Sequence, residues 1–395
     1  MSPRLTLSCQ DFAPFFGATY DVLAARLTAD TLAPLTSSHD AAIVARTLGE
    51  LGLYAHLVPE AHGGVAAGKA ADPTYIDVRS LVLIREALGQ VSPLADAIFA
   101  VQGLGSYPIV LAGSEAQRER WLPGVVRGDR VAAFALTEPE AGSDVASLQT
   151  TARRDGDEWI LDGDKTLISN VPIAHHHVVF ANADPAAGRK GISAFVVERD
   201  APGLTLTPIL MSITHPIGKL ALRGCRVPAD ALLGRVGDGF KLAMTTLDAF
   251  RISVGGAANG MAARALACSI DHVTRRRQFG AALSEQQIVR AYLAEMATEL
   301  DAARLLVARA AHARDTGGGA RVSTEAAMAK LYATEAAQGI IDKAVQLHGG
   351  LGVVDGTEVE RLYREIRPLR IYEGTTEIQK LIIAKGLLDR AAAKV

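Results

Sequence analysis

Apolar residues recur with helical spacing at both ends of the chain and with strand spacing in the middle. In the first 130 or so residues, apolar positions repeat every three or four residues over 41–51 and 78–88, and Trp121 closes a further amphipathic stretch. This region is therefore predicted to be helical. Gly63-Gly64 and residues 66–72 predict a loop within it.

The pattern changes near Val131, where short apolar runs separated by turn residues begin. Asp155-Gly156-Asp157 lies between residues 150–154 and 158–161, which is the signature of a β-hairpin. We therefore expect an all-β region of roughly six to eight strands. Further strands are predicted at residues 178–180, 192–197, 204–206 and 219–222.

Long helices return after Gly237-Asp-Gly239. Broad apolar stripes predict four helices, and Gly317-Gly-Gly319 predicts a loop between the second and the third. These helices are alanine-rich and apolar on more than one face, so they pack either within one chain or in the core of an oligomer. The four helices are predicted at residues 240–269, 284–314, 324–347 and 377–393.

Composition narrows the class of protein. The net charge is −2 and there is no long basic tract, so nucleic acid is not expected to be a partner. The three cysteines are widely separated, which favours a reducing compartment without disulfides. The N-terminus lacks the long apolar core of a secretory signal, and no apolar run is expected to reach the length of a membrane span. We therefore expect a cytoplasmic protein with no membrane partner.

A single carboxylate near the end of the chain is the strongest candidate for acid–base chemistry. Glu373 lies between Tyr372 and Gly374, just before an apolar helical run, and Thr376 and Gln379 have the spacing of a capping box. The glycine allows a ligand to approach the backbone closely, and a carboxylate on such a loop can act as a general base. From this segment alone, a solvated glutamate in a turn remains an alternative.

Other chemistries find little support in the sequence. The adjacent residues His175-His-His177 point to alternate faces of a strand, and no cysteine or carboxylate lies at ligand spacing, so no metal site is predicted. Ser143-Asp144 lacks the Gly-x-Ser-x-Gly elbow of hydrolases. No strand is followed by the Gly-x-Gly-x-x-Gly motif of a Rossmann domain.

Five motifs, in order along the chain, resemble those of the acyl-CoA dehydrogenase family. The third and the fourth lie in regions predicted to be helical. The motifs are Phe134-Ala-Leu-Thr-Glu-Pro-Glu-Ala-Gly-Ser-Asp144, Asp164-Lys-Thr-Leu-Ile-Ser-Asn170, Arg275-Arg-Arg-Gln-Phe-Gly280, Gln346-Leu-His-Gly-Gly350 and the segment around Glu373.

The resemblance covers nearly the whole chain and implies an α+β fold. An all-α N-terminal domain would occupy residues 1–130, a middle β-barrel or β-sandwich domain residues 131–236, and a C-terminal four-helix bundle residues 237–395. It also implies FAD as the cofactor, an acyl-CoA as the substrate, and an electron-transfer flavoprotein as the electron acceptor. The implied assembly is a homotetramer, built as a dimer of dimers.

The same resemblance implies the reaction. Glu373 would remove the α-proton of the acyl-CoA while the β-hydrogen leaves as hydride to flavin N5, which yields a trans-2-enoyl-CoA. A flavin ribityl hydroxyl and the backbone N–H of Glu373 would polarise the thioester oxygen. Burial would raise the pKa of Glu373, and the following helix start would lower it. The implied substrate-binding residues are Ser143, Asp248, Phe250, Arg251 and Gly374.

The residues implied to bind FAD come from both the strand region and the helical regions. Small hydroxyls and turn amides suit the acceptors along one edge of a flavin. Arg276 would pair with FAD phosphate of a neighbouring subunit, although a run of arginines is also common at a solvated helix end. The implied set is Phe134, Leu136, Thr137, Gly142, Ser143, Leu167, Ile168, Ser169, Arg276, Gln278, Phe279, Gln287, Gln346, Gly349, Gly350, Thr375 and Glu377.

The chain departs from the family pattern at several positions. Leu167 stands where a tryptophan is common, and Ser169 where a threonine is common. Phe250 occupies the position where some members carry their base, which leaves Glu373 for that role; Phe250 is either a core residue or a wall of the acyl pocket. The segment His215-Pro-Ile-Gly218 also differs, without a functional interpretation.

The departure at Leu167 keeps two related functions open. One is a flavin oxidase that passes electrons to oxygen, and the other is a dehydrogenase of an acyl group held by a carrier protein. A non-catalytic, nucleic-acid-binding relative is disfavoured by the near-neutral charge and by the presence of Glu373. The sequence leaves the acyl group itself open.

Overall fold

The computed structural model describes residues 6–65, 74–318 and 321–393. Its α-helices are α1 (Ser8–Asp11), α2 (Ala18–Arg26), α3 (Ala29–Leu32), α4 (Ala41–Glu50), α5 (Val78–Val91), α6 (Pro93–Ala112), α7 (Glu115–Arg127), α8 (Gly239–Arg275), α9 (Gln287–Thr316), α10 (Ser323–His348), α11 (Glu358–Ile366) and α12 (Thr376–Ala392). Its strands are β1 (Ala132–Ala135), β2 (Thr151–Asp155), β3 (Glu158–Ser169), β4 (His176–Asn182), β5 (Ile192–Glu198), β6 (Leu204–Pro208), β7 (Ile217–Pro228), β8 (Leu232–Leu233), β9 (Arg277–Gln278) and β10 (Ala281–Ala282).

The chain divides into two compact units, each of which is described by itself. Unit 1 comprises Met1–Thr36, Val78–Asp96 and Arg251–Val395, and unit 2 comprises Ser37–Asp77 and Ala97–Phe250. This division does not follow chain order. The predicted domain boundaries, after residues 130 and 236, therefore stay predictions.

Unit 1 is helical, and glycines let two of its helices cross with their backbones in contact. A Cβ on Gly256 of α8 would lie 2.6 Å from the carbonyl oxygen of Val82 on α5, and one on Gly260 would lie 2.1 Å from that of Glu86. Only glycine fits at such distances. The close crossing brings α5 against α8, and apolar residues of α8, α9, α10 and α11 complete the core.

Unit 2 contains an eight-stranded sheet with the strand order β6-β7-β3-β2-β4-β5-β8 and with β1 beside β4. The predicted hairpin is confirmed, because β2 and β3 are antiparallel and pair Asp155 with Glu158. The pairing of β3 with β7 shifts register between Lys165 and Ile168. Leu167 falls in this irregular stretch, and although it is apolar, 56% of it is exposed.

Helix α6 corrects an expectation from the sequence. Pro93–Ala112 is long and apolar enough to cross a membrane by length and composition, whereas no run of that length was expected. Of the apolar stretch within this helix, 89% is buried, which is the environment of a core helix.

Most predicted helices and strands are confirmed, with ends that differ by a few residues. The prediction for the third motif is wrong, because this motif does not stay helical to its end. After α8 ends at Arg275, β9 pairs with β10, and Phe279 and Gly280 form the turn with φ of 54° and 79°. The loop predicted at residues 66–72 lies outside the described residues, as does Gly319.

Candidate active site

The loop that carries Glu373 in unit 1 has an unusual backbone. Glu373 has a φ of 54° and Gly374 a φ of 90°, so two consecutive residues are left-handed. For a residue with a side chain, this conformation costs about 1–3 kcal/mol and persists only where the surroundings enforce it. A Cβ on Gly374 would lie 2.5 Å from Nε2 of Gln379, so this position also needs glycine for space.

Three buried side chains bind the carbonyl groups of this turn. Nε of Arg251 donates to the Glu373 oxygen over 3.3 Å, and Nζ of Lys330 donates to the Gly374 oxygen over 2.8 Å. Nε2 of Gln379 donates to both oxygens, over 3.3 and 2.8 Å. Because these donors come from α8, α10 and α12, three helices together fix the orientation of Glu373.

A carboxylate on α10 holds both ends of the loop. Glu335 accepts a hydrogen bond from Nε of Arg370 over 2.9 Å, and another from Oγ1 of Thr376 over 2.5 Å. Lys330 and Glu335 lie on the same helix, so α10 contacts the loop at its beginning, its middle and its end. The loop is therefore anchored along its length rather than only at Glu373.

The predicted capping box at the start of α12 is wrong. Thr375, not Thr376, is the N-cap, and its Oγ1 accepts a hydrogen bond from Ile378 N over 3.4 Å. Thr376 instead donates to Glu335, and Gln379 donates back to the loop. Both residues of the predicted box therefore bind the candidate catalytic loop.

Buried charges surround the Glu373 side chain. Arg85 is fully buried and forms a bidentate ion pair with Asp96, with N–O distances of 2.8 and 2.9 Å. Burial raises the pKa of Glu373, and the positive charges of Arg85, Arg251 and Lys330 offset this only in part. From the sequence, burial was expected to raise the pKa of Glu373 and the helix start to lower it. Burial is thus the larger effect.

One carboxylate oxygen of Glu373 is available for chemistry. Oε2 is buried and has no hydrogen-bond partner among the described residues. A carboxylate with a fixed backbone, a free oxygen and a raised pKa can accept a proton from a weak carbon acid. The geometry of unit 1 is therefore that of a candidate general base.

Two segments implied to contact FAD lie side by side in unit 2. Thr166 N donates to Thr137 O over 3.0 Å, and Nζ of the buried Lys165 donates to Leu136 O over 3.1 Å. These bonds join the turn after β1 to the irregular part of β3, where Leu167 is exposed. The first and the second motif are therefore neighbours in space.

Ser169, at the end of the second of these segments, has a histidine partner. Its Oγ lies 2.7 Å from Nε2 of His215. Burial lowers the pKa of His215 to about 4, so the imidazole is neutral at pH 7. The unusual His215-Pro-Ile-Gly218 segment thus places a neutral imidazole against the hydroxyl that is implied to face the flavin.

The remaining implied flavin residues of unit 2 differ in exposure. Phe134 packs against Phe180, with ring centroids 4.9 Å apart, and Ile168 is buried. Gly142 and Ser143 are exposed, and a Cβ on Gly142 would meet nothing within 4 Å.

In unit 1, Arg276, which is implied to bind the FAD phosphate, lines a cavity that also reaches the fourth motif. Arg276 lines it together with His272 and His348, whose rings stack with centroids 4.3 Å apart, and His348 precedes Gly349 and Gly350. The third and the fourth motif are thus brought together. Phe279 is 96% exposed at its hairpin turn. The other implied residues, Gln278, Gln287, Gln346 and Glu377, are exposed, and Thr375 is half-buried.

Phe250 is a fully buried residue of unit 2. Its ring meets Tyr107 edge-on at 5.8 Å, and a Cβ on Gly103 would lie 2.2 Å from its Cε1. This is the packing of a core residue, and a role as a wall of the acyl pocket stays a prediction. Asp248, also implied to contact substrate, is half-buried on α8.

The histidine run is packed into unit 2. His176 stacks on Trp121, with centroids 4.6 Å apart, and neither of its ring nitrogens has a hydrogen-bond partner in the described part of the chain. His177 is equally buried. No group of three His, Cys, Asp or Glu side chains that could hold a metal ion occurs within residues 6–65, 74–318 and 321–393.

Three family models match consecutive parts of this chain. They describe the N-terminal, middle and C-terminal domains of acyl-CoA dehydrogenase and match residues 22–129, 133–225 and 237–388. The chain belongs to the acyl-CoA dehydrogenase family. The predicted three-domain fold of this family, with helical N- and C-terminal parts and a middle part built on a sheet, is thereby confirmed.

Curated acyl-CoA dehydrogenase relatives match over most of their length. The short-chain specific acyl-CoA dehydrogenase of human mitochondria is 39% identical over 97% of this chain and 89% of its own. A 3-(aryl)acrylate reductase of Clostridium sporogenes is 36% identical over 87% of this chain and 90% of its own.

Solved structures of the family superimpose closely. A Bacillus anthracis acyl-CoA dehydrogenase complexed with FAD has a TM-score of 0.85 and 30% identity, covering 96% of this chain and 68% of its own. A chain from the electron transferring flavoprotein structure of Acidaminococcus fermentans has a TM-score of 0.84 and 34% identity, covering 98% and 100%. A prolyl acyl carrier protein oxidase, AnaB, has a TM-score of 0.84 and 29% identity, covering 94% and 99%.

The residues that hold the Glu373 loop or influence the pKa of Glu373 include several that sequence patterns did not single out. Arg85, Lys330 and Glu335 are the main ones. Lys330 left a signal, because it interrupts the buried alanine face of α10 that includes Ala326 and Ala333. Arg85 left no such signal in the sequence, since its partner Asp96 lies on another helix.

Proposed function

We propose that this FAD-dependent acyl-CoA dehydrogenase converts short acyl-CoA thioesters to trans-2-enoyl-CoA. The observation that carries the proposal is Glu373, which donors from three helices hold in a left-handed turn. Its buried Oε2 has no hydrogen-bond partner among the residues that the structure describes. Similarity to a short-chain specific acyl-CoA dehydrogenase, at 39% identity, supports the substrate class.

Glu373 is the proposed base for the α-proton. The α-carbon of a thioester is a weak acid, so an effective base needs a pKa above that of an ordinary carboxyl. Burial supplies this increase. The positive charges of Arg85, Arg251 and Lys330 oppose the increase and favour the ionised carboxylate. Its backbone N–H is the proposed donor to the thioester oxygen, whose negative charge grows as the proton leaves.

The chain has residues that fit FAD. For the ring, Leu167 offers an exposed apolar surface, and its own segment, which also carries Ser169, is hydrogen-bonded to the segment that carries Thr137. For the phosphates, Arg276 is exposed, and open space around Gly349 allows close backbone approach. Bound FAD supplies the two-electron acceptor for the β-hydrogen and its bonding pair.

Partner and assembly are part of the same proposal. We infer that an electron-transfer flavoprotein accepts the electrons, which the similarity to a chain from such a structure supports. We also infer a homotetramer, because Leu381, Leu387 and Leu388 of α12 are 53–70% exposed, and apolar surface of this kind is covered in assemblies. Reduced cysteines favour a cytoplasmic location.

An anaerobic titration with a panel of acyl-CoA thioesters tests the proposal. The panel contains short straight, branched, dicarboxylic and aromatic acyl groups, and the flavin band at about 450 nm is followed. We expect short acyl groups to bleach it. Purified protein without flavin would remove the cofactor from the proposal, and flavin that no thioester bleaches would remove the substrate class.

A variant of the base tests the assignment of Glu373. Glu373→Gln should keep its flavin spectrum while the bleaching rate falls about 10²–10⁴-fold, the usual contribution of a general base. Glu119→Gln, which changes an exposed carboxylate on α7, is the matched control. A Glu373→Gln protein that is bleached at the normal rate would assign the base to another residue.

A second candidate is an oxidase for an acyl group held by a carrier protein. The exposed Leu167, which stands where the family often has tryptophan, favours it, as does similarity to a prolyl acyl carrier protein oxidase. Oxygen consumption with carrier-bound substrate and no added acceptor would support this function over the first.

A further inference from the structure

Lys330 is a buried cation in direct contact with the candidate catalytic loop. It is fully buried on α10, and its neighbours on that helix, Ala327, Ala329 and Ala333, are buried apolar residues. A buried ammonium is costly unless it is hydrogen-bonded and compensated by opposite charge. Lys330 donates a hydrogen bond to the Gly374 oxygen over 2.8 Å, and the Glu373 carboxylate provides the opposite charge.

Two side chains donate hydrogen bonds to the Gly374 oxygen, and of these two only Lys330 carries a charge. Gln379 donates to the same Gly374 oxygen over 2.8 Å, so that carbonyl keeps one donor if Lys330 is replaced. Gln379 is neutral, whereas Lys330 adds a positive charge that favours the ionised form of Glu373. Replacing Lys330 therefore removes mainly a charge and one of two bonds.

We propose that Lys330 is a positioning residue for Glu373: its ammonium binds the Gly374 carbonyl, stabilises the left-handed turn and keeps a positive charge beside the carboxylate. This inference rests on the proposed function, in which Glu373 is the base, and adds a residue that controls that base. The same helix reinforces the effect through Glu335, which binds both ends of the loop.

The charge of Lys330 depends on pH within a measurable range. Burial lowers its pKa to about 8, Glu373 opposes the decrease, and Arg251 of α8 adds to it. The other charged groups that face Lys330 are Glu335 on its own helix and Glu377 on α12, and both favour the ammonium. The positive charge should therefore be present below about pH 8 and lost above it.

The experiment compares three variants with the wild type from pH 5.5 to 9.5. Lys330→Met removes the charge and keeps the length, and Lys330→Arg keeps a charge that does not titrate in this range. Lys343→Met is the matched control, because Lys343 lies on the same helix and pairs with Glu295 at 3.3 Å. The rate of anaerobic flavin bleaching by butyryl-CoA is measured for each.

The wild-type rate should fall as the pH rises above about 8. In Lys330→Arg this fall should disappear. In Lys330→Met the rate of flavin bleaching at pH 7 should be about 10–100-fold lower. The acid side of the pH–rate curve should also move to higher pH by about one unit, because a nearby cation no longer favours ionised Glu373. Lys343→Met should behave as the wild type. An unchanged rate and an unchanged pH dependence in Lys330→Met would overturn the proposal.

A double-mutant cycle without substrate separates this proposal from the proposed function. Unfolding is measured for the wild type, Lys330→Met, Glu373→Gln and the double variant at pH 7. Interaction between the two side chains should change the unfolding equilibrium constant by about fivefold beyond additivity. Additive effects would overturn the proposal even if the enzyme is active. A wild type that no acyl-CoA bleaches would instead refute the proposed function, and the cycle would still decide whether the two residues interact.

Discussion

Replacing Gly374 with alanine tests how Glu373 is held. The added methyl group would lie 2.5 Å from Nε2 of Gln379, at a residue whose φ is 90°. Because the amide is the end of a flexible side chain, it would move rather than the backbone. Its movement would break the hydrogen bonds of 2.8 and 3.3 Å that it donates to the Gly374 and Glu373 oxygens.

The expected loss of stability has two parts. Left-handed backbone costs a residue with a Cβ about 1–2 kcal/mol. Two neutral hydrogen bonds contribute about 1 kcal/mol each. Gly374→Ala should therefore lower the free energy of unfolding by about 3–4 kcal/mol. Gly356→Ala provides the control, because Gly356 has a similar φ of 85° and nothing within 4 Å of its Cβ position, so only the backbone part applies.

Urea unfolding and the rate of flavin bleaching together decide the outcome. Gly374→Ala should be about 2 kcal/mol less stable than Gly356→Ala, which is the contribution of the two Gln379 bonds. It should also react about 100-fold more slowly, since a displacement of about 1 Å at a catalytic group has an effect of that size. Equal stability and equal rates in the two variants would refute the argument that Gln379 holds Glu373 in place.

Two further predictions concern unit 2. Stability should fall as the pH drops through about 6.5, because burial lowers the pKa of His176 to about 3 and of His177 to about 4 while the unfolded chain takes up protons. The loss at pH 5 is about 2 kcal/mol for each of these two histidines. In urea unfolding at pH 8 and pH 5, His176→Phe should therefore reduce the pH-dependent loss by about 2 kcal/mol, and an unchanged pH dependence would contradict this. His215→Leu should shift the reduction potential of bound FAD by about 30 mV, since it alters one hydrogen bond of Ser169. Ser169→Ala should give a shift of similar size, and no shift in either variant would exclude Ser169 from the flavin site.

Regular periodicity made most of the fold predictable from sequence. The apolar stripes of α8, α9 and α10 run for many turns, and the Asp-Gly-Asp turn between β2 and β3 has few other conformations. The third motif was wrongly predicted to be helical to its end because its arginines continue a helical pattern. The left-handed Phe279 and Gly280 end that pattern, and β9 pairs with β10 around them.

The capping box failed for a reason that lies outside the local sequence. Thr376 and Gln379 have the right spacing, yet Glu335 on α10 accepts the hydroxyl of Thr376 and the loop carbonyls accept the amide of Gln379. Thr375 then takes the N-cap role. Spacing predicted that these residues matter, but tertiary contacts determined what they bind.

The environment of Glu373 was the least predictable part of the site. Its position before a helix is a local pattern, whereas Arg85 and Lys330 reach it from helices that are distant in sequence. Whether the pKa rises or falls depends on burial against these charges, and neither can be read from the Glu373 segment. The structure gives the direction, which is upward.

A raised pKa gives Glu373 a basicity suited to its proposed role and also makes the folded protein less stable at alkaline pH. Between the ordinary carboxyl pKa of 4.5 and the higher folded value, the folded state binds the proton more tightly than the unfolded chain does. Stability therefore falls as the pH rises through this window and stays lower above it. Glu373→Gln removes the buried charge, so its stability relative to the wild type should increase from pH 5 to pH 8. A stability difference that does not change with pH would mean that the Glu373 carboxyl titrates alike in the folded and the unfolded chain, and the proposed base would then lack its raised pKa.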